Sequence, residues 1–425
     1  MFILSIIIGK LTIFGLRVAG KGGSALPGLV IEKINNSFLE QFSKSFNGKV
    51  VLVTGTNGKT TTTKVLGDVL LDQGETVLSN RSGSNIKRGV ISSIIENSSV
   101  FGKSHYNYAV FEIDEAYAPI VAKALRPHVL VALNIFRDQL DRFSELDKTY
   151  QYISEAAEFS DRIVINIDDP LLSAIKTRYS KSTTSFGAVA RIRKLLPTDN
   201  DLHASKTASK AYNPDILLYE TQRIGNREQI QINCNNKIIK FSTQLIGVHN
   251  AINLAAVFAT LKVLGMSDSQ FENSIKKSEP AFGRGETVTV SGRDIILMLA
   301  KNPAGFNQAL LSLKADGITP SIIGINDNLA DGRDVSWLWD VNFEEFVNND
   351  SKIICTGTRA FDIAVRLKYA HHDLQSIVIE DLDNAISKLL VSKSEGTKAI
   401  VATYTTMLEI RKILSSRVYL KEFWK

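Results

Sequence analysis

The chain has 425 residues, a mass of 46.9 kDa, a formal net charge of +6 and a pI near 9.0, with 44% hydrophobic and 22% charged residues. That length exceeds what one core supports and fits two or three domains of an ordinary soluble globular protein. The basic residues form no cluster with interleaved aromatics, which argues against a nucleic-acid partner; an anionic substrate, or the anionic inner face of a membrane, suits the excess equally well.

The opening MFILSIIIGKLTIFGLRVAG is apolar, but Lys10 interrupts the run, basic residues follow rather than precede it, and no small-residue cleavage site is clear. Those features oppose a signal peptide, and the run is short of the ~20 residues a transmembrane helix needs. It reads as a helix packed on the domain that follows, with a membrane-touching amphipathic helix as the alternative. GKGGSALPG is a turn-rich connector and Leu29–Phe46 has a helical pattern. From Lys49 strands and helices alternate. The apolar runs VVLVTG, YAVFEI, VLVALNI and RIVINI predict a parallel sheet covered by helices on both faces, with motif residues at the strands' C-terminal ends. LLPTDNDLHASKTASKAYNPD reads as loop, ILLYETQRIGNREQIQINCNNKIIKFSTQL as an antiparallel element, and GVHNAINLAAVFATLKVLG as a helix returning to the first domain. A boundary falls around Gly283–Gly292. Beyond it DIILMLA, SIIGIND, KIICTGT, QSIVIED and KAIVATY predict a second, smaller doubly wound α/β domain. The expected division is residues 1–48, a helical segment packed on the domain that follows; 49–287, the first α/β domain with a variable insert at about 188–240; and 288–425, the C-terminal α/β domain.

Cys355 lies in KIICTG and reads as a buried strand residue, whereas Cys234 in NCNNK reads as lying near a hairpin turn. Neither has a CxxC partner, so the pattern encodes no zinc site and no disulfide framework.

Residues Val50–Thr63, VVLVTGTNGKTTTT, carry the chemistry. A buried strand breaks into a glycine-bearing loop that ends in Lys59 and Thr60 at a helix start. Such a loop turns backbone N–H groups and a helix N-terminus toward a phosphate, sets the lysine against the outer phosphates and the hydroxyl against magnesium. Only two residues separate Gly55 and Gly58, where the common P-loop has four. The candidate ATP-binding residues here are Gly55, Thr56, Asn57, Gly58, Lys59, Thr60 and Thr61. Thr60 and Glu112, which closes the YAVFE strand, are the candidate magnesium ligands, with Asp114 and Glu115 behind them.

TGTNGKTTT with its shortened loop resembles the ATP-binding signature of the Mur ligase family, which joins amino acids to peptidoglycan precursors through acyl-phosphates. FEIDE (Phe111–Glu115), NIFRDQLDR (Asn134–Arg142), NIDDP (Asn166–Pro170), GVHNAINLAA (Gly247–Ala256) and FGRGE (Phe282–Glu286) match in order. RVAGKGGSALPG, NRSGSN (Asn80–Asn85), LAKNPAGFNQAL, INDNLADGRDVSWLWD and TGTRAFDIAVRLK look like its MurT branch, the synthetase subunits of lipid II isoglutaminyl synthase. The resemblance covers nearly the whole chain except about 60 residues after Phe186. It implies ATP and Mg2+ as cofactors and an adenine site at Asn250 and Asn253, with His249 able to stack there. It further implies that Arg284 reaches the γ-phosphate on closure and that Asp168 and Asp169 fix a strand-end turn or contact the nucleotide.

Gln139 stands where other Mur ligases often have His, which leaves a second metal near Asp138 open. The four-cysteine zinc ribbon of many MurT proteins has no cysteine counterpart here, so a rudimentary or metal-free insert is expected. Asp334, the aspartate of GRD, is implied to orient the catalytic histidine of a GatD-type glutamine amidotransferase partner. The activity so implied is ATP-dependent amidation of the α-carboxyl of D-glutamate in the lipid II stem peptide. The chain has no Cys–His glutaminase of its own and, with its P-loop only about 50 residues in, is expected to lack the substrate-binding N-terminal domain of full Mur ligases. A cytoplasmic protein is expected, with a peripheral place at the inner membrane face as a variant. The alternatives are an amino-acid-adding ligase of Mur or folylpolyglutamate synthetase type, or a degenerate nucleotide-binding scaffold.

Overall fold

In the computed structural model, the described residues are 1–18, 25–80, 84–102, 104–136, 145–179, 182–196, 213–225, 227–280, 284–347, 351–371, 375–391 and 396–417. They form a nine-stranded and a six-stranded sheet. In the first, β1 (Lys49–Thr54), β2 (Val77–Ser79), β3 (Tyr108–Glu112), β4 (Val129–Ala132), β5 (Arg162–Asn166), β6 (Thr183–Ala188) and β7 (Ile216–Ile224) run parallel in the order β2-β3-β1-β4-β5-β6-β7. β8 (Arg227–Cys234) and β9 (Lys237–Thr243) extend the same sheet antiparallel. The hairpin between them turns at Asn235 and Asn236, both at positive φ, a conformation asparagine tolerates. Cys234 sits immediately before that turn. The antiparallel element predicted from alternation is thus the edge of the main sheet.

Why β1 reads as an unbroken apolar run follows from its place at the sheet centre. Parallel strands covered on both faces bury every side chain. Val50 and Leu52 enter one layer, formed with the N-terminal helices Phe2–Val18, Leu26–Ile34 and Phe38–Ser45 and the helix Lys87–Asn97. Val51 and Val53 enter the other, formed with the helices Lys59–Asp72 and Val248–Leu264. The second of these, the returning helix expected from the sequence, is buried through most of its length, and Phe258 meets Phe271 edge-on at 5.0 Å.

The Leu29–Phe46 pattern resolves into two helices rather than one. They break at Asn35, whose amide donates to Ser5 Oγ and to Gln41 Oε1 at 3.0 Å each. Close packing explains Gly28: a side chain there would run into the Arg88 carbonyl oxygen, 1.9 Å from an ideal Cβ, on the helix Lys87–Asn97.

The second sheet has the order β10-β11-β15-β12-β13-β14, with β10 (Arg284–Val290) antiparallel to β11 (Arg293–Leu299) and the others parallel. β12 (Ile322–Gly324), β13 (Lys352–Thr356), β14 (Gln375–Val378) and β15 (Lys398–Ala402) are the remaining runs of the predicted second series. β10 was not among those runs: it begins at Arg284, inside the FGRGE segment, and pairs with the second sheet. Cys355 is fully buried on β13, and burial pushes its thiol up to about 12.

Phe258→Ala removes a fully buried ring from the layer that supports the loop after β1. It is expected to cost ~3–5 kcal/mol, read as a fall in the urea midpoint with little change in slope.

Candidate functional site

The loop after β1 lies at the C-terminal edge of the first sheet, where the chain order turns. After β1 the chain runs to β2 and β3 on one side, then crosses to β4 on the other, leaving a crevice between β1 and β4. Asn134, just past β4, holds the loop across that crevice. Its side-chain oxygen accepts from Asn57 N at 2.8 Å, its amide donates to Asn57 O at 2.9 Å, and its carbonyl accepts from Thr56 N at 3.0 Å. Thr56 Oγ1 and Phe136 exchange further bonds at 3.0 and 3.2 Å. Gly55 and Gly58 take φ of 124° and 89°, and an ideal Cβ at Gly58 would lie 2.4 Å from Asn253 Oδ1. Glycine is therefore needed at 58 on two counts, conformation and space.

Lys59 opens the helix Lys59–Asp72 and folds back over the loop. Its ammonium donates to Gly55 O at 2.5 Å and Thr56 O at 3.2 Å, and lies 3.4 Å from Glu115 Oε1. The pair is largely shielded, at 8% and 14% side-chain exposure. Thr60 is exposed and Thr61 buried in the first turn. Glu112 lies beside Val53 in the β1–β3 register, two residues before Gly55. Asn80 clamps its backbone, accepting from Glu112 N at 2.9 Å and donating to its carbonyl at 2.8 Å, while Asn85 donates to Glu112 Oε1 at 3.4 Å. Asp114 caps the turn Glu115–Tyr117 by accepting from Ala116 N.

A cleft of about 370 Å³ adjoins the loop, lined by Asn57, Asp168, Arg193, His249, Asn253 and Gln308 among others. Ile135, Phe136, Leu171, Leu196 and Ile252 give it apolar walls. Burial raises the Asp168 carboxyl above its usual range, against the opposing pull of the Ala188 N–H and of Arg193, 3.4 Å away. Asp169 is a strand-end fastener: it caps the helix Pro170–Arg178 through Leu171 N and Leu172 N and accepts from Ile135 N at 2.7 Å. Asn250 lies outside the cleft lining and donates to Ile246 O at 2.7 Å, closing the start of its own helix, whereas Asn253 faces the loop. The helix Pro303–Ala315, which follows β11, contributes Gln308 to the lining, and its cap Asn302, fully buried, donates to Asn57 Oδ1 at 3.4 Å. Asp138 and Gln139 lie outside the described residues, as do the Arg284 side chain and most of the LLPTDNDLHASKTASKAYNPD segment.

The four aspartates of INDNLADGRDVSWLWD separate by what they touch. Asp327 pairs with Arg359 at 2.9 Å, and Asp331 accepts from Thr405 N and Oγ1. Asp334 is half-buried in a surface depression with Arg333, Trp339, Arg359 and Phe361, its Oδ1 accepting from Ser336 N at 2.8 Å. Ser336, through its hydroxyl and its N–H, holds the Asp334 carboxyl below the usual range. Asp340 ends the turn Ser336–Asp340, whose Trp337 is buried against Phe306. Arg366 clamps this segment, donating to Leu338 O and Val341 O at 3.2 and 2.7 Å and meeting Glu344 with two bonds. Among the described residues no group of three or more metal-ligating side chains occurs, and no helix is long and apolar enough to cross a membrane.

The comparisons with known proteins agree with this arrangement. The family model for the Mur ligase middle domain matches residues 53–261, and that for the MurT ligase C-terminal region matches residues 299–407. Lipid II isoglutaminyl synthase (glutamine-hydrolyzing) subunit MurT of Staphylococcus aureus (strain COL) is 30% identical over 94% of both chains. The protein of the same name from Streptococcus pneumoniae (strain ATCC BAA-255 / R6) is 30% identical over 97% of both. The chain belongs to the MurT family of Mur-type ligases. Solved structures share the fold: MurF from Acinetobacter baumannii, with TM-score 0.69 and 18% identity over 89% of this chain and 78% of that one. MurF from Thermotoga maritima in complex with ADP gives 0.67 and 16% over 91% and 85%. Folylpolyglutamate synthase from Mycobacterium tuberculosis, complexed with ADP and AMPPCP, gives 0.63 and 12% over 93% and 99%.

Arg366 also generates a pH dependence. Its bonds lower the Glu344 carboxyl below its ordinary 4.5. A lowered acid contributes stability that is present above its unfolded value and lost as pH falls through the folded one. Glu344→Gln is therefore expected to cost ~0.5–1 kcal/mol at pH 7, since the carboxylate is half exposed, and progressively less as the pH falls below 4.5. Urea titrations across that pH range check this.

Proposed function

We propose that the chain is the ATP-using synthetase subunit that amidates the α-carboxyl of D-glutamate in the lipid II stem peptide, with ammonia drawn from a GatD-type glutaminase. One observation carries the reading: a P-loop whose lysine is held over it and whose neighbouring carboxylate, Glu112, is clamped by two asparagines, in a chain alike over almost its full length to proteins named as that subunit. The buried Asn57 Nδ2 has no partner among the described residues, as a donor awaiting a ligand would not.

In the reaction, the carboxylate attacks the γ-phosphorus of ATP, giving an acyl-phosphate and ADP. Ammonia then adds to the acyl carbon, phosphate leaves, and a proton is lost to give the amide. Gly55–Thr61 grip the phosphates, with the N–H groups at the start of the helix Lys59–Asp72 turned to them, and Lys59 exchanges its carbonyl and Glu115 contacts for the transferring phosphoryl. Asn253, His249 and the apolar walls of the cleft hold the base, with Asn250 keeping the helix start in place and Arg284 arriving with the second sheet. Thr60 and Glu112 offer the hard oxygen donors magnesium prefers; bound there, it would neutralise phosphate charge. Since an acyl-phosphate is also open to water, an enclosed cleft favours the amide.

Asp334 supports the partner assignment. Its carboxylate stays ionised, lies in a depression, and is bordered by an exposed apolar patch of Trp339, Phe361, Val365 and Tyr369, the last three one or two turns apart on the helix Ala360–Ala370. Exposed patches of that kind mark protein contacts. A carboxylate so placed would fix the tautomer of a partner's histidine.

Lys59→Ala is expected to lower amidation of lipid II by at least a hundredfold, ~3 kcal/mol, measured by mass spectrometry with glutaminase, glutamine and ATP present; near-normal product would overturn the ATP site. Incorporation of an amino acid in place of ammonia would instead establish the amino-acid-adding alternative. Asp334→Asn should leave ATP binding and complex formation intact while severely impairing glutamine-dependent amidation, and ammonium salts should restore it. Failure of ammonium to rescue a folded variant that binds ATP would move Asp334 into the synthetase chemistry; Asp340→Asn, the control, should be milder.

A further inference from the structure

The helix Phe2–Val18 is apolar over most of its surface yet packs on the protein along only one side. Ser5, Ile6 and Gly9 are buried, whereas Leu4, Ile7, Leu11, Phe14 and Val18 follow one another at spacings of three and four and form an outer stripe. Leu11, Phe14 and Val18 are 65%, 66% and 73% exposed. A helix apolar all round is ordinarily covered all round. On the packed side, a Cβ at Gly102 would meet the Phe2 ring at 3.1 Å and Ile6 at 3.3 Å.

Charge selects what covers it. No acidic residue precedes Glu32 in the sequence, while Lys10, Arg17 and Lys21 are basic. Lys10 donates to Glu96 O at 3.3 Å and Arg17 to the Glu96 carboxylate at 2.9 Å, both bonds being solvent-exposed. A partner helix would be registered by a polar residue in the seam or by charges of both signs along it. The stripe has no polar residue and the helix no acid. Apolar bulk with cations alone suits an anionic bilayer surface.

We propose that this face of the N-terminal helix docks the protein on anionic lipid, its stripe entering the headgroup–acyl boundary while the opposite face stays packed on the helices Leu26–Ile34 and Lys87–Asn97. This goes beyond the ligase reading, and its test involves no catalysis. The full-length protein is floated with phosphatidylglycerol–phosphatidylcholine vesicles and with phosphatidylcholine vesicles alone. Partitioning at least tenfold stronger onto the anionic vesicles is expected. Leu11→Glu with Phe14→Glu should reduce it at least tenfold, and Val391→Glu, an equally exposed apolar site on the second unit, should not. Lys10→Gln with Arg17→Gln, which leaves the stripe intact, should reduce the anionic preference at least threefold, and this variant decides the matter if the double glutamate variant melts early. Absence of wild-type binding to anionic vesicles overturns the proposal. So does undiminished binding by both double variants, or a homodimer in solution that the glutamate variant dissolves.

Discussion

Asn134 is the residue on which the site depends. It stands past β4, on the far side of the crevice from the loop it braces, and satisfies both backbone groups of Asn57 and the N–H of Thr56. These bonds take up the N–H groups of Thr56 and Asn57 and fix the path of the loop, which leaves the N–H groups at the start of the helix Lys59–Asp72 for an anion. The fold and the loop conformation are therefore one problem. Gly58 against Asn253 adds the third wall. Lys59, in turn, lies on the loop's own carbonyls with Glu115 beside it, on the proposed reading a charge stored where an anion is to arrive.

The second sheet is more than an appendage. Asn302 reaches the loop, Gln308 lines the cleft, and Ser312 Oγ lies 3.4 Å from His249 Nδ1. On its other flank the segment from Asn326 to Asp340 is organised by a different set of bonds, in which Asp327 and Asp331 are tied inward and Asp334 faces a depression. On the proposed reading the nucleotide chemistry and the partner contact thus occupy separate places, with the packed layer around Phe306 and Trp337 between them.

Much of this was legible in the sequence. Parallel strands buried on both faces leave apolar runs, and the runs at β1, β3, β4 and β5 and from β11 to β15 were read as strands for that reason. The loop announced itself through glycine, lysine and threonine spacing. Other features left weaker traces. β10 alternates polar and apolar residues at a sheet edge, and its start coincides with a motif, so it was not read as a strand. The break at Asn35 depends on Ser5, thirty residues away, a contact no local pattern contains. Asn80 and Asn85 stood in a segment singled out by resemblance, but only the register of β2 beside β3 brings them to Glu112. Asn250 and Asn253 look alike in the sequence; the pitch of the helix turns one to its own backbone and the other to the loop.

The central claim, activation of a carboxylate as its acyl-phosphate, is tested most directly by oxygen transfer. Lipid II carrying 18O in the α-carboxyl of its D-glutamate is incubated with the chain, the proposed GatD-type glutaminase, glutamine and ATP, and the inorganic phosphate is analysed by mass spectrometry. The account predicts one 18O per phosphate released, in step with amide formed. Amide formed alongside unlabelled phosphate would contradict it.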